Sequence, residues 1–349
     1  MLKHRTFLRV CAAFSLFLYS FQYASAQEAP RGSMEAPTGL MCDLMAHTDY
    51  QSFQGYPVQP VWDTTAFLGH QAVRIGETAP SFSWIVPGTA RDIQQSAYQI
   101  LLSDNPDTIR MDQGDVWNSG VVRSGKASAV SYQGKPLRPH TLYYWKVRIW
   151  DNMHHESPYS ATRAFFTDSV LQAYHTPTYP LEKSDQYPEK LHTAGAGTVA
   201  DFGRDAFGQL KLRLFSGKTD DTVTLSLGEA LSPDGHVNPK PGATIRYRAF
   251  RLPLMRGWHT YRIRIPRDAR NPRPVAILMP AYIGEVMPFR YAELAGYRHP
   301  LGQQDITREA VWYPFDDEAA SFHSSDSLLN AVWELSKYTM KATSFAGTF

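Results

Sequence analysis

The chain has 349 residues, 43% of them hydrophobic and 19% charged, which is the balance of a folded protein with length for two or three domains. Its 35 Lys and Arg stand against 33 Asp and Glu, a formal net charge of +2. There is no long basic run, so the composition excludes the electrostatic footprint of a nucleic-acid partner.

The first residues read as a targeting signal. Lys3, His4, Arg5 and Arg9 precede the apolar run "VCAAFSLFLYSF", and Ala24, Ser25 and Ala26 are small residues where signal peptidase cuts. The mature chain is expected to begin at Gln27 and to be exported, to the periplasm or the extracellular space. The apolar run is too short for a stable membrane span. Arg9, two residues before Cys11, argues against a lipid-attachment cysteine. Cys11 leaves with the signal, so Cys42 has no partner for a disulfide.

After a polar tether at 27–36, the text to about residue 168 is strands and turns. "SFSWIV", "SAYQILLS", "VWNSGVV", "ASAVSY", "TLYYWKVRIWD" and "RAFFTD" are separated by clusters of Pro, Gly, Asn and Asp, which is the spacing of a β-sandwich. Leu137, Pro139, Thr141, Tyr143, Trp145, Val147 and Ile149 occupy every second position and share one face of a strand. Leu-x-Pro-x-Thr-x-Tyr resembles the strand that carries the tyrosine corner of fibronectin type III domains, with Tyr143 as the corner. That aromatic face could serve as a sugar platform, but inward alternation favours core packing. Residues 49–75 are long for a connection within a sandwich and are expected to form an ordered excursion at its edge.

Residues 169–196 mix Pro, Gly and charges without periodicity and are expected to be a linker. "QLKLRLFS" and "DTVTLSLGEAL" then alternate well and suggest a hairpin across "GKTDD". "HTYRIRIP", "VAILMP" and "FRYAELAGY" continue the strand signals to about residue 312, so the second domain, 197–315, is expected to be a jelly-roll sandwich. At the end, Leu328, Val332, Leu335, Tyr338, Ala342 and Phe345 recur at helical spacing, with Ser324, Ser325 and Asp326 as candidate N-caps and Gly347 as a candidate C-cap. No later segment covers this stripe, so the helix either docks on its own domain or belongs to a larger helical body.

Chemistry-bearing motifs are few. There is no HExxH, CxxC pair, GxSxG or phosphate loop, and no cofactor or metal ligand set is expected. His154 and His155 adjoin in a turn, where solvated histidines are common. Asp220 with Asp221, and Asp316, Asp317 and Glu318, lie side by side on loops, whereas catalytic carboxylates face each other across a cleft. Glu229 and Glu285 stand at strand ends beside Gly228 and Gly284, where a ligand could approach the backbone. They are the two candidate sugar contacts, with a structural role for each as the alternative.

Several phrases together resemble one family. "PTGLMCDL", "APSFSWIV", "SAYQILLS", "DVWNSGVV" and "YYWKVRIWD" are similar to the N-terminal fibronectin-like domain of bacterial alpha-L-rhamnosidases, glycoside hydrolase family 78. "ADFGRDAFGQLKLRL", "VTLSLGEALSPDG", "TIRYR", "FRYAELAGY" and "FHSSDSLLNAVWELSKYTMKATSF" resemble the next sandwich and the approach to the catalytic domain. The resemblance implies an all-β chain with a fibronectin type III-like sandwich at 37–168, a concanavalin-like jelly roll, and at 316–349 the first helix of an (α/α)6 barrel. That barrel would supply the catalytic glutamates of an inverting mechanism, so no catalytic residue is transferred to any position here. The extra carbohydrate-binding jelly roll that many members insert between the β-domains has no room at 169–196. The implied function is that of the N-terminal β-domains of a secreted enzyme that releases terminal alpha-L-rhamnosyl residues from plant or bacterial glycans, this portion being inactive alone. The alternative is a stand-alone carbohydrate-binding or scaffolding module.

Overall fold

A computed structural model describes residues 34–88, 92–268 and 278–344. The expected signal peptide, most of the tether, Phe345 and Gly347 lie outside the described residues. The first sandwich contains β1 (Thr38–Cys42), β2 (Gln51–Phe53), β3 (Tyr56–Val58), β4 (Gln71–Ala72), β5 (Arg74–Glu77), β6 (Ser81–Ile85), β7 (Gln95–Ser103), β8 (Trp117–Asn118), β9 (Val122–Arg123), β10 (Val130–Ser131), β11 (Leu142–Asp151) and β12 (Arg163–Gln172), with short helices α1 (Thr64–Gly69) and α2 (Pro106–Arg110). One sheet runs β1-β6-β10, and the facing sheet runs β5-β12-β11-β7-β8 with β9 also on β7.

Alternation along β11 puts Tyr143, Trp145, Val147 and Ile149 into the core beside Phe82 and Trp84 of β6. The Phe82 and Trp145 rings lie 4.6 Å apart. The expected corner is present: the Tyr143 hydroxyl accepts the backbone N–H of Arg138 at 2.9 Å. The aromatic face is therefore core and not a sugar platform. The other face of the same sheet is covered too, because Leu142 and Tyr144 pack with Phe67 of α1 and Ile109 of α2. The sequence reading missed both helices, since five or six residues are too few to display a helical period. Their caps were legible. Asp63 accepts the N–H groups of Thr65 and Ala66, and Asn105 precedes Pro106 at the first helical position.

Residues 169–196 differ from the linker expected of them. They hold the end of β12, then β13 (Glu182–Gln186) and β14 (Lys190–Ala194). "EKSDQ" shows no apolar alternation because the groups it meets are charged. β13 pairs with β20 (Ile306–Trp312), aligning Asp185 with Glu309. The β2–β3 turn of the first sandwich closes over this pair. Tyr56 Oη lies 2.8 Å from Asp185 Oδ1 and 2.9 Å from Glu309 Oε1, and the Lys183 N–H donates to the Gly55 carbonyl at 2.6 Å. Lys211 reaches Asp185 at 2.7 Å, and Arg262 reaches the buried Glu309 at 3.4 Å. Gly55 is required here, for its φ is +85° and a Cβ would sit 2.9 Å from Lys183 Cγ. The excursion at 49–75 thus supplies the contact between the sandwiches.

The second sandwich adds β15 (Gly197–Ser216), β16 (Asp221–Gly228), β17 (Tyr247–Leu254), β18 (Gly257–Ile263) and β19 (Met287–Ala295). The 20-residue β15 belongs to both layers. Its first half lies between β14 and β19, and beyond Gly208 it pairs with β20 and β18. Leu210, Leu212 and Leu214 from the second half meet Val223, Leu225 and Leu227 of β16 across the core. The hairpin expected across "GKTDD" is therefore absent, as β19 is inserted between β15 and β16 and the turn carries the chain from one layer to the other. In "VAILMP", residues 275–277 lie outside the described residues and 278–280 are not strand.

The final helix, α3 (Ser327–Thr343), starts where expected, with Asp326 accepting the Leu328 N–H at 2.8 Å. Only part of its apolar stripe is used. Tyr338 and Ala342 pack on Ala206, Ala310 and Trp312, whereas Leu328 and Leu335 remain 69% and 63% exposed. Among the described residues no helix is long and apolar enough to cross a membrane.

Two outcomes follow for stability. Tyr143→Phe leaves the Arg138 N–H without its acceptor and should cost about 1–3 kcal/mol in denaturant unfolding of the chain. Glu309→Ala removes a carboxylate that accepts from Tyr56 and faces Arg262 and Lys211, and since the partners left behind stay hydrated or bonded to Asp185 it should cost about 1–3 kcal/mol in the same measurement.

Candidate functional site

The register of β15 against β19 breaks between Asp201 and Ala206. Gly203 makes the bulge possible, since its φ is +75° and a Cβ would fall 2.1 Å from Glu189 Oε1. Asp201 holds it in shape. Its Oδ1 accepts the Gly203 N–H at 2.7 Å, and its two oxygens take Arg290 Nε and Nη2 at 2.7 and 2.8 Å. The Arg290 hydrogen bonds keep the Asp201 carboxyl below its ordinary range.

The bulge turns Asp205 inward. Its Oδ1 is buried with no donor reaching it, and Glu229 stands nearby, just beyond β16. Burial first, and then the neighbouring charge and hydrogen bond of Glu229, push Asp205 up to about 7. Arg308 approaches from β20, its guanidinium 4.7 Å from the Phe202 ring centroid and 5.7 Å from that of Phe289, donating to the carbonyls of Arg204 and Phe289 at 2.9 and 2.6 Å. Burial lowers this guanidinium to about 10.

Both sequence candidates lie close to this cluster. Glu229 Oε1 accepts the Arg246 N–H at 2.5 Å. Glu285 lines a cavity of about 180 Å³ with Arg246, Arg248, Asp268 and Phe207, and its Oε1 lies 3.4 Å from the Asp268 nitrogen. Arg246 and Asp268, 3.5 Å apart as an ion pair, thus connect the two acids. Each candidate spends its carboxylate on a backbone group. On the far side of the bulge a groove of about 540 Å³ separates Arg204, Asp205 and Phe207 from Leu335, Tyr338 and Thr339 of α3. Asp205 was not singled out in the sequence. Its one signal was Gly203 within an otherwise strand-like "ADFGRDAFGQL", the mark of a bulge.

His155 bonds to Asp151 at 2.9 Å and His236 to Glu293 at 2.7 Å, and no group of three or more His, Cys, Asp or Glu among the described residues is arranged to hold a metal ion.

Comparison with known proteins agrees with the fold. Residues 66–169 match the Rha78A-like, N-terminal immunoglobulin domain. A stretch of 93 residues is 41% identical to an alpha-L-rhamnosidase of Formosa agariphila, covering 27% of this chain and 10% of that protein. Another of 72 residues is 40% identical to an alpha-L-rhamnosidase of Streptomyces avermitilis, covering 21% and 7%. The structure of alpha-L-rhamnosidase from Dictyoglumus thermophilum aligns with a TM-score of 0.59 at 15% identity, over 86% of this chain and 51% of that one. The enzyme from Aspergillus terreus aligns at 0.56 and 11%, with the same coverage. The chain thus spans about half the length of these structures, and its matched stretches a tenth or less of the curated relatives. Residues 66–169 are thus similar to the Rha78A-like N-terminal immunoglobulin domain, and the chain is similar to alpha-L-rhamnosidases in sequence over part of its length and in fold over most of it.

Proposed function

We propose that these sandwiches are the N-terminal β-domains of an exported alpha-L-rhamnosidase, which removes terminal rhamnosyl residues from rhamnose-containing glycans with inversion. The observation that carries this reading is the 41% identity with the Formosa agariphila enzyme over 93 residues, supported by the immunoglobulin-domain match at 66–169. Within this reading the β-domains position and brace. The two candidate acids are already engaged with backbone groups, Glu229 with the Arg246 N–H and Glu285 with the Asp268 N–H. An inverting acid and base would come from outside the residues described here, and the chain alone is inactive.

The purified chain should show no turnover of an aryl alpha-L-rhamnoside. Turnover that disappears in Glu229→Gln or Glu285→Gln would move the active site into the second sandwich and overturn the proposal. Export is checked separately by intact mass, which should show a mature protein beginning at Gln27.

A further inference from the structure

We propose that the outward face of the second sandwich around Trp258 is a non-catalytic platform that binds a neutral pyranosyl residue of a glycan. In the register of β15 with β18, Phe215 stands opposite Trp258, Arg213 opposite Thr260 and Lys211 opposite Arg262, so these side chains share one face. The alternate positions Leu212, Leu214 and Ile263 fill the core on the other face. Trp258 is therefore aimed away from the core, and it remains 51% exposed. A large apolar ring turned outward on a regular strand is the kind of exposure that calls for a ligand.

The indole is held in place by its neighbours. The Arg213 guanidinium lies over the ring at 4.5 Å, and Phe215 meets it with centroids 5.6 Å apart and planes at 52°. Phe215 is itself packed edge to face with His299 at 5.0 Å, and its N–H donates to the Tyr297 hydroxyl at 3.0 Å. Arg213 is anchored to Asp305, 3.5 Å away, whose carboxylate is nearly buried and accepts the Gly302 N–H at 3.0 Å.

The mixture of groups selects the ligand. A pyranose presents a flat face of C–H groups and a rim of hydroxyls; the indole suits the first, and the Arg213 guanidinium and the Thr260 hydroxyl stand beside it for the second. A protein partner needs about 800 Å² on each side, whereas two aromatic rings supply about 150–250 Å² each and β18 continues on this face with Thr260 and Arg262. Charge favours a neutral sugar over an acidic one. Arg213 faces Asp305, Arg262 faces Glu309 at 3.4 Å and Lys211 faces Asp185 at 2.7 Å, so each of these cations already has a carboxylate. The platform rests on these contacts, and only the choice of sugar for its test rests on the proposed function.

Fluorine NMR of the full chain labelled with 5-fluorotryptophan, titrated with methyl α-L-rhamnopyranoside, tests this. Loss of one of the eight indole resonances in Trp258→Phe assigns Trp258, and Trp62 is assigned in the same way. The Trp258 resonance should shift saturably with the sugar, while that of Trp62, 39% exposed on the first sandwich, stays in place. Arg213→Ala should weaken binding about tenfold, and saturation transfer from protein to sugar protons should be lost in Trp258→Ala. Thermal unfolding at the wild-type temperature is the control for folding, and if one variant fails it the other decides. No saturable shift at Trp258, an equal shift at Trp62, unchanged affinity in Arg213→Ala, transfer that survives in Trp258→Ala, or tighter binding of methyl β-D-glucopyranosiduronate than of the neutral glycoside would each overturn the proposal. None of these readings involves turnover, so their outcome is separate from that of the aryl-rhamnoside assay.

Discussion

The ion pair between Asp201 and Arg290 governs more of this molecule than its two side chains suggest. It stabilises a bulge that a 20-residue strand needs in order to turn from one layer of the second sandwich into the other. Without the break in register between Asp201 and Ala206, β15 could not place Ala200 and Phe202 in one half of the core and Leu210, Leu212 and Leu214 in the other. The same bulge sets the direction of Asp205 and the position of Ala206, and those two residues receive α3. Because the pair is bidentate and also accepts the Gly203 N–H, it fixes direction as well as distance.

The junction between the sandwiches follows a different rule. Tyr56, Asp185, Lys211, Arg262 and Glu309 meet in place of two apolar surfaces, and Glu309 is almost completely buried. Taking these charges out of water is expensive, and their mutual attraction offsets the expense only if the geometry holds. Such a contact contributes orientation more than stability. A shift of the β2–β3 turn along β13 would strand Glu309 and Asp185, so the network resists sliding in a way that interchangeable apolar side chains would not.

This also explains what the sequence revealed and what it hid. Tyr143, Trp145, Val147 and Ile149 were legible because one face of β11 meets an apolar layer, and the period of two survives in the text. β13 was illegible because its environment is polar, so "EKSDQ" reads as linker although it lies inside a sheet. The supposed hairpin of β15 and β16 failed for a topological reason. Two alternating runs joined by a good turn look the same whether they pair with each other or pack face to face with a later strand between them. At the candidate site, Glu229 and Glu285 were noticed for the glycines beside them, but Asp205 depends on a partner 24 positions away and on a bulge, neither of which leaves a periodic trace.

The C-terminal helix depends on both the bulge in β15 and the end of β20. α3 has 17 residues, and an isolated helix of that length is marginal in water, so its order depends on what it touches. Among its described residues none is fully buried, and it is held by Tyr338 and Ala342 packed on Ala206, Ala310 and Trp312, by the Tyr338 hydrogen bond to Asp205, and by Lys341, which reaches Asp317 at 2.6 Å and lies over the Trp312 ring. Burial of so little apolar surface contributes only on the order of 1–3 kcal/mol. The order of α3 is therefore set by a few named contacts more than by its own propensity, and the loss of any one of them removes a large fraction of what holds the helix.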